Sequence, residues 1–221
     1  MQQLGFDREE VLFEEQAEDS RLVYCFLKRT MDVIFSLVGL VILSPIFLVV
    51  TILIRLESKG GSIFSQERVG KNGKRFKMYK FRSMVANAEE LKDKLCGQNE
   101  MCGPMFKIKK DPRVTKVGKF IRKTSIDELP QLVNVLKGEM SLVGPRPSLP
   151  KEVVKFEDWM MVRLSVKPGL TCYWQVSGRS DIGFEEWMEL DVKYVKDRTT
   201  LIDITLILKT FGVFLGDEHA S

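Results

Sequence analysis

Two adjacent carboxylates, Asp127 and Glu128, follow two cations in the stretch Arg122-Lys123-Thr124-Ser125-Ile126-Asp127-Glu128-Leu129-Pro130. One carboxylate can attack phosphorus while its neighbour holds a hard cation that neutralises phosphate charge. Mg²⁺ suits such a pair, because it needs only one or two carboxylates plus substrate phosphate oxygens. Ser125 and Glu128 also have the spacing of a capping box, which predicts a helix from Ser125 to Lys137 with Asp127 in its first turn. A helix N-terminus is itself a phosphate site. On these residues alone, helix capping and phosphate chemistry both stay open, and they are compatible.

Further cations support an anionic ligand. Pro145-Arg146-Pro147 presents an arginine on a restricted backbone, and arginine grips phosphate through two donors; a rigid surface turn is the alternative. Lys74, Arg75, Lys77, Lys80 and Arg82 crowd one stretch. Lys107, Lys109, Lys110, Arg113, Lys116, Lys119, Arg122 and Lys123 crowd another. Such clusters suit phosphates or an anionic membrane face. A solvated face is the plainer reading for any single lysine. No nucleic-acid recognition motif accompanies them, so no nucleic-acid partner is expected.

The single histidine, His219, stands near the C-terminus, which argues against a Ser/His triad or a two-His zinc site. Cys25, Cys96, Cys102 and Cys172 include no C-x-x-C pair and read as reduced thiols. Net charge is +4 over 221 residues, too little to name a partner by itself.

The elements that must position these groups are legible by pattern. Ser62–Met84 reads as a β-hairpin with a two-residue turn at Asn72-Gly73. Val85–Leu95 has helical composition, and Cys96–Pro104 reads as a loop. Lys116–Lys123 predicts a short helix with Val117, Phe120 and Ile121 on one face. Gly138 stops the next helix. Met140–Pro150 reads as irregular, Lys151–Leu164 as helical, Lys167-Pro168-Gly169 as a turn and Phe184–Lys196 as a helix. Leu201–Leu215 is apolar apart from Asp203 and Lys209, and reads as a core segment or a membrane-surface one.

From Val33 to Ile54 no residue is charged. At about 1.5 Å per helical residue the run can span a hydrocarbon core. An acidic stretch precedes it and no small-residue cleavage site follows, so it does not read as a cleavable signal. Ser44-Pro45 near its middle predicts a bend, with Ser44 available to satisfy a freed carbonyl. Lys28 and Arg29 precede the run, and Arg55 and Lys59 follow it. Basic flanks favour the cytoplasmic side, and here both ends carry them. A helix–break–helix dipping into one leaflet fits both observations, and a kinked spanning helix is the alternative.

Together these segments resemble the sugar-transferase domain of the monotopic bacterial polyprenyl-phosphate phosphoglycosyl transferases. The likeness runs from Lys28 to about Leu215. It rests on KRTMD at Lys28–Asp32, the Ser44-Pro45 break and QERVGKNGKRFKMYKFRSM at Gln66–Met84. It continues through VGKFIRKTSIDELPQLVNVLKGEMSLVGPRP at Val117–Pro147, then KPGLT at Lys167–Thr171 and WQVSGR at Trp174–Arg179. The resemblance implies an α+β fold: a mostly helical cytoplasmic domain with a β-hairpin, anchored by a re-entrant helix–break–helix and amphipathic helices. The implied divisions are an acidic segment 1–27, a re-entrant segment 28–59 and a catalytic domain 60–221.

The resemblance also implies an activity. A sugar-1-phosphate passes from a UDP-sugar to undecaprenyl phosphate, UMP leaves, and a lipid-linked glycan is begun. Asp127 would be the nucleophile and Glu128 the Mg²⁺ ligand. Lys80, Arg82, Arg122 and Pro145-Arg146-Pro147 would bind phosphate. Lys28, Arg29, Ser44 and Pro45 would serve the membrane anchor. The expected location is the cytoplasmic face of the bacterial inner membrane, among its lipids, with a homodimer left open. The donor sugar stays open among glucose, galactose and an N-acetylated amino sugar. A membrane-tethered scaffold with a basic lipid-binding face is the competing class, but it has no use for Asp127-Glu128.

Overall fold

Proline at position 45 ends one helix and begins another. In the computed structural model, which describes residues 22–88, 90–91, 111–177 and 182–216, helix α1 (Leu22–Ile42) and helix α2 (Ser44–Glu57) meet at Leu43 with a bend of 60°. Pro45 lies in the first turn of α2, where a helix needs no N–H donor. Ser44 Oγ donates to Val41 O at 2.8 Å, taking up a carbonyl at the break as its chemistry predicts. Among the described residues no single helix is long and apolar enough to cross a membrane; the bent pair together has that length and composition. Its outer surface is a run of exposed side chains: Ile34, Phe35, Val38, Val41 and Ile42 on α1, then Leu48, Val49, Ile52 and Leu56 on α2.

The segment Lys28–Asp32 binds α1 to the rest of the chain. Lys28 Nζ reaches Asp203 Oδ2 at 2.8 Å and Val143 O at 2.9 Å. Arg29 donates to Val135 O and Leu136 O at 2.7 and 2.8 Å. Buried Asp32 accepts from Ser141 Oγ at 3.0 Å and Leu142 N at 2.9 Å. Read from sequence as flanking charges at a membrane, Lys28 and Arg29 make these contacts inside the protein.

Strands β1 (Ile63–Val69) and β2 (Arg75–Phe81) form the predicted hairpin. Its turn is wider than the two residues expected. The last pair is Val69 with Arg75, and Gly70 N donates to Lys74 O at 2.8 Å around a 3₁₀ turn at Lys71–Gly73. Asn72 and Gly73 do supply the left-handed backbone there, with φ of 54° and 75°. Phe76 and Met78 pack on Val135 and Met140, while Phe81 packs with Val50, Ile54 and Ile121. The second cluster joins hairpin, α2 and helix α3 (Lys116–Lys123), which forms where predicted and is capped by Thr115 Oγ1 accepting from Gly118 N.

The predicted helix Ser125–Lys137 is two pieces, a 3₁₀ turn at Ile126–Glu128 and helix α4 (Gln131–Lys137). Pro130 has no N–H and crowds the preceding carbonyls, so an α-helix cannot run through it. Ser125 stands at φ 52° and its side chain makes no capping bond, so the capping box does not form. Gly138 ends α4 as expected, at φ 80°.

The stretch read as irregular contains strand β3 (Ser141–Val143), parallel to β4 (Gly169–Thr171), which also takes over the end of the predicted 167–169 turn. Gly144 and Gly169 allow this approach: a Cβ on Gly169 would fall 2.2 Å from Gly144 N. The predicted Lys151–Leu164 helix is broken into α5 (Pro150–Val153), α6 (Asp158–Met161) and a 3₁₀ turn at Val162–Ser165. Helices α7 (Tyr173–Val176), α8 (Phe184–Asp197) and α9 (Thr200–Gly216) follow. On α9, Asp203 and Leu206 are buried while Leu201 and Leu208 are exposed, so one face joins the core and another does not. Among the described residues the fold is therefore mostly helical with two small sheets. Residues 1–21, nearly all of 89–110, Arg179 and His219 lie outside the described residues, and with them the last four residues and position 89 of Val85–Leu95, all of Cys96–Pro104 and the cations Lys107, Lys109 and Lys110.

Candidate active site

Asp127 and Glu128 sit on the 3₁₀ turn between α3 and α4, facing the inner side of the hairpin. Alternation along β2 puts Lys80 on the face of Phe76 and Met78. From there Lys80 Nζ reaches Glu128 Oε1 at 2.6 Å and stands 4.0 Å from Asp127 Oδ2. Arg146 approaches the same Glu128 oxygen at 3.5 Å, with its guanidinium 5.8 Å from the Trp174 ring centroid. A pocket lined by Arg68, Met78, Lys80, Glu128, Gln131, Arg146, Pro147, Gly169 and Leu170 opens beside this group.

Burial raises the Asp127 carboxyl above the usual aspartate range, and the Lys80 charge partly offsets that. Glu128 adds to the rise, while Arg122 and Arg146 draw it down. A carboxylate held this way keeps its proton to higher pH than an ordinary aspartate and is the more basic for it.

Lys80 and Arg146 are thus brought to the dyad. Pro145 and Pro147 are buried on either side of Arg146, and Gly169 N donates to Pro145 O at 2.9 Å. Arg122 stays exposed on the last turn of α3, within electrostatic reach of Asp127. Arg82 goes elsewhere: it donates to Lys59 O at 2.7 Å and Ser58 O at 2.8 Å, joining the hairpin to the chain beyond α2.

Sequence reasoning missed two arginines. Arg68 lines the pocket and donates to Pro147 O at 3.0 Å and Gln66 Oε1 at 2.6 Å. Its signal was parity: across the hairpin Phe64, Gln66 and Arg68 stand opposite Lys80, Met78 and Phe76. Arg163 is buried and donates to Arg146 O at 2.7 Å and to Ser148 Oγ, while Asp191 Oδ2 holds it at 2.6 Å. Burial pushes Asp191 up to about 6 despite that guanidinium. Arg68 and Arg163 therefore clamp successive carbonyls of the Arg146 loop; no local pattern around Arg163 announces this.

Adjacent carboxylates facing several cations at one pocket make a site suited to phosphate groups. The chain belongs to the bacterial sugar transferase family, whose profile matches residues 23–217. It is 50% identical over 189 residues to the galactosyl transferase CpsE of Streptococcus agalactiae, covering 85% of this chain and 42% of that protein. It is 43% identical over 220 residues to the undecaprenyl-phosphate galactose phosphotransferase of Salmonella typhimurium, covering 97% of this chain and 46% of that one. The exopolysaccharide production protein ExoY of Sinorhizobium fredii is 41% identical over 188 residues, with 83% of each covered. The chain thus spans less than half the length of the first two relatives.

Proposed function

We propose that this protein transfers a sugar-1-phosphate from a UDP-sugar to undecaprenyl phosphate at the cytoplasmic face of the bacterial inner membrane. The observation that carries the reading is the meeting of Glu128, Lys80 and Arg146 at one pocket with Asp127 beside them, in a chain that also carries a bent, outwardly apolar helix pair. In the first step an Asp127 oxygen forms a bond to the sugar-linked phosphorus. The bond from that phosphorus to the bridging oxygen breaks, and UMP leaves with the oxygen. In the second step an oxygen of the lipid phosphate attacks the same phosphorus. The aspartyl–phosphorus bond breaks, giving a lipid diphosphate sugar and the free carboxylate.

Lys80 sits between the two carboxylates and holds Glu128 in place. Arg146 offers a guanidinium to phosphate oxygens. Among the described residues no three His, Cys, Asp or Glu side chains gather as a metal cage. The donor set instead fits Mg²⁺, which keeps waters and takes its remaining oxygens from substrate phosphates. Glu128 would hold that ion, which supplies charge neutralisation on the phosphates.

The apolar outer surface of α1 and α2 supports seating the pair in one leaflet as a re-entrant element. Two of the relatives above are named for galactose, so UDP-galactose is the first donor to test. An N-acetylated sugar comes next, since an Aeromonas hydrophila relative is named for N-acetylgalactosamine. Intact mass after incubation with UDP-sugar and Mg²⁺ should show a phosphosugar adduct that Asp127→Asn abolishes. No such adduct across a broad donor panel defeats the reading. For topology, single cysteines placed before Lys28 and after Lys59, without the native ones, should react with an impermeant reagent from the same side.

A further inference from the structure

We propose that Arg68 is a direct ligand of the donor's diphosphate, a third phosphate-binding cation beside Lys80 and Arg146; this deepens the functional reading above and rests on it. Arg68, Lys80 and Arg146 all line the pocket, where Glu128 contributes one carboxylate and Asp127 stands beside it. Such a pocket has more positive than negative charge before substrate arrives, and an incoming diphosphate restores the balance. Burial, with repulsion from Arg146 added, already lowers the Arg68 guanidinium to about 10.

Arg68 also has an unpartnered donor. Its two terminal nitrogens are engaged by Pro147 O and Gln66 Oε1, whereas Nε is buried with no hydrogen-bond partner. A buried charged donor left unsatisfied is costly, and a phosphate oxygen is the acceptor that charge-assisted geometry favours. The contact to Pro147 fixes the guanidinium next to the Arg146 loop, so little ordering is needed when phosphate binds. The hairpin register supplies the rest: parity places Arg68 on the same inner face as Lys80, so one rigid ribbon carries both cations.

The competing role is purely positional, with Arg68 acting through Pro147 on Arg146. A double-mutant cycle separates the two. UDP binding with Mg²⁺ is measured calorimetrically for the full chain in bilayer discs, as wild type, Arg68→Gln, Arg146→Gln and the double variant. Direct ligation predicts that Arg68→Gln weakens UDP about tenfold or more, and that the double variant is weaker than Arg146→Gln by a similar factor. Binding by Arg68→Gln within twofold of wild type overturns the proposal. So does a double variant no weaker than Arg146→Gln, which would make Arg68 a support for the loop. If Arg68→Gln does not fold, Arg68→Lys takes its place in the same cycle, with a several-fold loss expected in both backgrounds. Failure of wild type to bind UDP, with no Asp127 adduct, would instead defeat the functional reading.

Discussion

The cluster that docks α1 and the pocket beside the dyad are built from the same kinds of side chain, yet their charges are balanced differently. At the docking cluster Asp203 receives Lys28 at 2.8 Å, the Tyr24 hydroxyl at 3.0 Å and the Tyr194 hydroxyl at 2.8 Å. Nearby Asp32 is fixed by a hydroxyl and a backbone N–H. At the pocket two cations share one Glu128 oxygen, a third stands beside them with an unpartnered Nε, and Asp127 meets Lys80 only at 4.0 Å. The first arrangement is closed and its product is rigidity. The second is less completely paired, the kind of arrangement that a ligand can complete.

The widest separation between the two regions should come from Asp127→Asn. Turnover should fall by roughly 10⁴-fold or more, while the melting temperature holds or rises, because a buried carboxylate is removed. A large fall in melting would place Asp127 with the structural cluster instead. Asp203→Ala should do the reverse. It strands the Lys28 ammonium among buried groups and should destabilise by about 3–5 kcal/mol, read by thermal unfolding; a loss below about 1 kcal/mol would show that the cluster is not what holds α1.

Lys80→Met sharpens the electrostatic side. In the proposed reaction Asp127 would work as an anion, and burial raises its carboxyl while Lys80 counters that rise. Removing Lys80 lifts the carboxyl further, so the acid limb of kcat/KM should move to higher pH. An unmoved limb would separate Lys80 from the ionisation of Asp127. The smallest effect belongs to Gly138→Ala. A side chain there meets only ordinary contacts, near Arg29 and Lys167, but at a φ of 80°. It should cost about 1 kcal/mol with turnover per folded molecule unchanged.

Much of this was legible because local chemistry decides it. The Ser44-Pro45 bend, the α3 helix and the Gly138 stop follow from one proline, one period and one glycine. The hairpin follows from alternation, though the Asn72-Gly73 turn belongs to a wider loop closed by Gly70 and Lys74. The Ser125 capping box failed because Pro130, five residues on, sets where α4 can begin. Strands β3 and β4 are three residues each, too short for a period, and pair only because two glycines let their backbones meet. Arg82 and Lys80 look alike in sequence. One turns to the dyad and the other to Ser58 and Lys59, a difference set by tertiary packing.

The ties between α1 and β3 have a mechanical meaning. Asp32 holds Ser141 and Leu142, Lys28 holds the Val143 carbonyl, and Arg146 follows three residues later. Helix α1 and the Arg146 loop are therefore tied into one piece. If the helix pair sits in a leaflet as proposed, the altitude of the pocket above the lipid would be set by the length of α1 rather than by a hinge. Under that proposal the bilayer would act as a ruler, and an acceptor phosphate would have to rise to a fixed mark to be served.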